Sequence, residues 1–174
     1  KNSNFSEING IELFDFEKQI KFFKSKFTFI TYNDLIQSIN FGKQLPENSI
    51  LLTFDDGLKE HYDYVFPILK KYDVKGLFFP TAKPIVEKIV LNVHKIHFIL
   101  AACQNKQIIK NKIFSYIEEN QTKFNLKSAE KYYEEIAIPN RFDSKEIIFI
   151  KRILQKELPE VARNEIINFL FKKY

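Results

Sequence analysis

Glycine is scarce in this chain: four occur in 174 residues, all at or before Gly76. A phosphate-cradling loop needs closely spaced glycines, so nucleotide binding of that kind is excluded. The one cysteine, Cys103, excludes an intrachain disulfide and a cysteine-based zinc cluster, and is assigned to the core. Tryptophan and methionine are absent, and three histidines, His61, His94 and His97, are all the imidazole there is. No apolar run approaches a membrane span, and the polar start from Lys1 to Glu7 lacks the apolar core and cleavage site of a signal peptide. A chain opening on Lys1 without an initiator Met is expected to be a piece of a longer or processed polypeptide. Its location stays open, with a cytoplasmic setting favoured.

What is present is ample core material, 45% hydrophobic and 16% aromatic with nineteen Phe, enough for one domain. Lys plus Arg outnumber Asp plus Glu by 27 to 22, for a net charge of +5. The charges alternate in sign and form no block, which describes a solvated surface. No nucleic-acid partner is expected.

The first half reads as α/β. Phe16, Ile20, Phe23 and Phe27 recur near helical spacing behind Asp15 as cap, and residues 27–30 form a short strand. Thr31 with Asp34 makes a capping box for a second helix that Gly42 and Pro46 end. A buried strand over residues 50–54 follows, covered on both faces, then a helix over 61–72 and a strand over 75–79 closed by Pro80. Beyond Pro84 there is no glycine and the only prolines are Pro139 and Pro159, so the second half is helical, with helices near 92–104, 106–119, 128–136, 143–157 and 159–172, the fourth of them capped by Asp143 with Glu146. The division is therefore residues 1–84, α/β, and residues 85–174, a helical insertion or subdomain of the same domain.

The chain is organised around Thr53-Phe54-Asp55-Asp56-Gly57, where a strand runs into two carboxylates and a glycine. Adjacent aspartates at a strand end repel each other and resist desolvation, a cost that a divalent cation reduces. Successive side chains point to opposite sides, so one carboxylate can ligate a metal while its neighbour addresses a metal-bound water. The bland alternative makes Asp56 a helix N-cap with no chemistry. An aspartyl phosphatase is a further alternative, but it needs a second carboxylate two residues after the first, where Gly57 stands.

This motif, continued by Tyr62, Pro67-Ile68-Leu69, Lys71-Tyr72 and Gly76-Leu77-Phe78-Phe79, resembles the first motif of the polysaccharide deacetylases, the NodB-homology carbohydrate esterases, over roughly residues 14–81. The resemblance implies a partial deacetylase-type (β/α) barrel with a largely helical second half. It implies a metal-dependent hydrolase that removes acetyl groups from an N-acetylated sugar or glycan. Asp55 then corresponds to the general base and Asp56 to a ligand of a divalent metal, zinc being expected. The family is often exported.

The chain departs from the family pattern after the first motif, which is followed in the family by a His-Ser/Thr-x-x-His segment. The nearest approach here is His94-Lys95-Ile96-His97, at spacing three and without the hydroxyl residue. On a helix the two imidazoles can share a metal, or His97 can lie on a core face with Val93, Ile96 and Leu100 while His94 borders it. The core-face reading is preferred. The missing motifs are expected beyond Tyr174, and the rival to an enzyme is a non-catalytic deacetylase-like module that binds a glycan or protein partner.

Overall fold

The computed structural model describes Phe5, Ile8 and residues 10–174. It divides into two compact units, Gly10–Lys88 and Ile89–Tyr174; Phe5 joins the second through an edge-on ring contact with Phe98 at 4.9 Å.

The first unit is α/β. Helix α1 (Leu13–Lys26) starts two residues before the expected Asp15 cap; Glu12 is its N-cap and makes no side-chain cap bond. Strand β1 (Thr28–Phe29) leads into α2 (Tyr32–Phe41), whose capping box is formed as expected: Asp34 Oδ2 accepts from the Thr31 N–H at 2.8 Å, and Thr31 Oγ1 accepts from the Asp34 N–H at 3.3 Å. Gly42, at φ +68°, ends the helix in the left-handed conformation.

The expected strand over residues 50–54 is two strands. Ser49–Ile50 (β2) pairs in parallel with β1, whereas Leu52–Asp55 (β3) pairs in parallel with Gly76–Phe79 (β4). The mixed helix and strand character is as expected; among the described residues the strands form two separate two-stranded sheets and no closed barrel. Four short strands cannot complete a ring of eight, and past β4 the chain turns helical. Nor is β3 covered on both faces: Leu52 and Phe54 are half-buried while Thr53 and Asp55 are exposed. A two-stranded sheet packed on one side leaves alternate residues in water.

Between β3 and β4 a π-helical turn (His61–Val65) runs into α3 (Phe66–Lys71), with Pro67 in the first turn, where its missing N–H costs nothing. Ile20, Ile68, Leu69 and Val74 form the core of this unit, flanked by Phe16, Leu52 and Phe54. A polar tie reinforces it: Lys71 Nζ and the Tyr72 hydroxyl both donate to Glu17 Oε1, at 2.8 and 2.5 Å, and join α1 to the end of α3. These donors, Lys71 first, pull the Glu17 carboxyl down to about 2. A short helix α4 (Ala82–Glu87), absent from the elements expected from the sequence, closes the unit.

The second unit is helical: α5 (Asn92–Ala102), α6 (Lys106–Phe124), α7 (Ala129–Ile136), α8 (Lys145–Arg152) with a π-helical turn (Ile153–Glu157), and α9 (Glu160–Lys173). Ser144, not Asp143, caps α8, its hydroxyl accepting from the Ile147 N–H at 3.5 Å. Ile109, Ile113 and Ile117 of α6 are fully buried at i, i+4, i+8, against Phe149, Ile150, Ile166 and Leu170. Cys103 lies in this core, as its scarcity suggested.

Candidate active site

Asp55 is the last residue of β3 and is paired in register with Phe79, the last residue of β4. Both strands are parallel, so their carboxyl ends open at one edge, where backbone groups past the ladder are free to turn toward a ligand. Asp55 is exposed and Asp56 half-buried.

The turn that follows is conformationally exact about its residues. The Asp56 N–H donates to the Phe79 carbonyl at 3.0 Å, adding one rung to the ladder after the strand has ended. Asp56 and Gly57 then both take left-handed backbone angles, φ +71° and +65°. Aspartate tolerates that region better than most side chains, and glycine enters it at no steric cost. Asp56 is therefore not a helix N-cap, which takes extended angles; it is the first residue of a tight turn. A Cβ on Gly57 would stand 2.7 Å from Pro80 Cβ and 3.0 Å from Pro80 Cα, so the strand-end proline closes the space beside the turn.

Behind this edge Phe54 and Phe78, neighbours in register, stack at 4.8 Å, and His61 meets both rings at 5.6 and 6.0 Å. The His61 Nδ1 is buried without a hydrogen-bond partner among the described residues. Pro80 and the Phe79 carbonyl were not read from the sequence as parts of the site. The signal that could have found them is positional, since a parallel partner strand ending in Phe-Phe-Pro must end beside the strand that ends in Asp.

The histidine pair lies elsewhere, on α5 of the helical unit. There the buried stripe is Ile96, Ile99, Leu100 and Cys103, while His97 is exposed and His94 half-buried. This corrects the placement of His97 on a core face: residues 96, 99, 100 and 103 make the inward stripe, and 97 turns away from it. Partial desolvation, then the nearby Lys151 and His94, hold the His97 imidazole below its ordinary value.

A structural or catalytic zinc takes three or four protein ligands. Among the described residues no three His, Cys, Asp or Glu side chains converge in that way. Asp55 and Asp56 offer a carboxylate donor set suited to a hard cation, but they do not by themselves make a metal site.

Comparison with known proteins agrees with the strand-end motif. The polysaccharide deacetylase family model matches residues 42–110, which takes in β2, β3, the turn, β4 and the helices as far as the first turn of α6. The match thus starts later than the stretch read from the sequence and reaches into the helical half. A Bacillus subtilis (strain 168) protein, YxkH, whose name puts it among the polysaccharide deacetylases, is 41% identical over 46 residues, 26% of this chain and 16% of its own length. The poly-beta-1,6-N-acetyl-D-glucosamine N-deacetylase of Escherichia coli K12 is 46% identical over 39 residues, 22% of this chain and 6% of its own length. The chain therefore matches only a small part of either relative. No solved structure matches it. The likeness to the polysaccharide deacetylase family therefore rests on the segment 42–110, less than half of the chain, and that segment carries Asp55, Asp56 and Gly57.

Proposed function

We propose that this chain contributes the proton-accepting half of a carbohydrate N-deacetylase site, acting on an N-acetylated sugar or glycan. The observation that supports the reading most is the Asp55-Asp56-Gly57 turn at the carboxyl end of β3, inside the family match. Asp55, exposed at the strand end, accepts a proton from a water molecule, whose oxygen attacks the amide carbonyl carbon. Collapse of the tetrahedral adduct breaks the C–N bond, leaves the acetyl group as acetate, and requires a proton on the departing amine. Asp56, whose backbone N–H donates to the Phe79 carbonyl, is the carboxylate this chain offers to a divalent metal. A bound divalent ion would polarise the amide carbonyl and would need ligands in addition to Asp56.

The test is acetate release from an N-acetylglucosamine oligomer by the full-length protein, with Asp55→Asn beside the native sequence. Removing a general base is expected to cost about 10²- to 10⁴-fold in rate with the fold intact. An unchanged rate in Asp55→Asn would refute the assignment. One observation favours a second reading, a non-catalytic deacetylase-like module: the described residues supply no third metal ligand. Oligomer binding without acetate release, in the native protein supplied with zinc, would decide for it.

A further inference from the structure

The helical unit carries an open groove of about 580 Å³ along α6 and α9. Its α6 side is one continuous face, Ile108, Lys112, Ser115 and Glu119, at the i, i+4, i+7, i+11 spacing that lines up along a helix. Phe169 of α9 forms the other wall, and Ile108 and Phe169 are 45% and 54% exposed. The two helices run antiparallel, since Tyr116 and Lys123 of α6 both reach Glu165 near the start of α9, at 2.9 and 3.1 Å, while Lys112 lies beside Lys173 at its end.

The charges on this face are unevenly matched. Lys123 and Glu165 satisfy each other. Among the described residues Lys112 has no carboxylate partner, only the like-charged Lys173, and Glu119 has no cation partner. The unmatched ammonium and carboxylate sit seven residues apart on one face, two helical turns or about 10.5 Å.

We propose that this face is the interface of a two-fold dimer of the chain, in which α6 of one copy packs antiparallel against α6 and α9 of the other. Lys112 of each copy then faces Glu119 of the other. A two-fold axis between Ser115 and Tyr116 is equidistant from both charges, so each copy supplies what the other lacks, the isologous condition for a closed dimer. Ser115 lies at the crossing, where a small side chain permits a normal interhelical distance. Ile108 and Phe169 become covered, and the arriving carboxylate meets an ammonium that the close contact with Lys173, then desolvation, now holds below the ordinary lysine value. Another occupant would have to present a cation and a carboxylate at the same two-turn spacing; a second copy does so without any added requirement.

Sedimentation equilibrium of the chain across the micromolar range is the test. The native chain is expected to dimerise, Lys112→Glu and Glu119→Lys each to weaken the dimer at least about tenfold, and the double reversal to restore it. Unchanged far-ultraviolet circular dichroism in all variants excludes misfolding as the cause, and Phe169→Asn should weaken the dimer without touching either charge. A native chain that stays monomeric overturns the proposal. So does a dimer that both single reversals leave intact, a double reversal that fails to recover, or a groove occupied by an added N-acetylglucosamine oligomer instead of a second copy.

Discussion

A Cβ on Gly57 would stand 2.7 Å from that of Pro80, at a backbone angle of φ +65° that L side chains rarely adopt. Strain and overlap act together, so Gly57→Ala is expected to destabilise the α/β unit by about 1 to 3 kcal/mol, measured by urea unfolding. Because the same turn carries Asp55 and Asp56, the proposed deacetylase activity predicts that the variant also loses acetate release by more than its stability loss explains. Glu17 governs a pH dependence in the same unit. Its carboxyl is lowered to about 2 in the folded chain, chiefly by Lys71 and then Tyr72, against an unperturbed value of 4.5. A depressed folded value means that the contribution is complete above pH 4.5 and is lost as pH falls toward 2. Acid titration of the native chain should show a destabilising transition in that window, and Glu17→Gln should flatten it.

At the scale of elements, caps and periodicity were legible wherever local chemistry decides. Thr31 and Asp34 form their reciprocal box, Gly42 ends α2, and Pro159 stands at the entrance of α9. Thr31→Ala removes the acceptor for the Asp34 N–H and should cost roughly 0.5 to 2 kcal/mol, read as a shift in the urea midpoint with an unchanged slope. What local chemistry could not decide was pairing. Residues 50–54 read as one strand, but two partners, β1 and β4, claim its two ends and break it at Leu51. Short α4 forms in spite of Pro80 and Pro84 because Thr81 supplies an extended cap position and Pro84 falls in the first turn, where proline is tolerated. The shift of the α8 cap from Asp143 to Ser144 is a one-residue error of the kind helix ends allow.

On the scale of the whole molecule the two units differ in how much they bury. Four residues, Ile20, Ile68, Leu69 and Val74, make the α/β core, whereas the helical core draws on α5 to α9 and the turn after α8. Hydrogen exchange should therefore find the slowest amides in α6, α8 and α9, and faster exchange across the β3–β4 ladder, whose outward face is in water. Equal protection in both units would contradict this reading. Phe149, fully buried with Phe114 and Tyr133 edge-on at 5.5 and 5.1 Å, is where the helical unit is most sensitive: Phe149→Ala should cost about 3 to 5 kcal/mol. The amino-acid sequence alone determined the helical second half, the strand-end carboxylates and the family motif, because periodicity, turn residues and a short contiguous signature are local properties. Tertiary structure alone decided that the strands pair two by two without closing a barrel, that His97 faces outward, and that Pro80 closes on Gly57. Each of these depends on which distant segment arrives beside which, and hydrophobic burial, being non-directional, leaves that choice to the packing of the assembled chain.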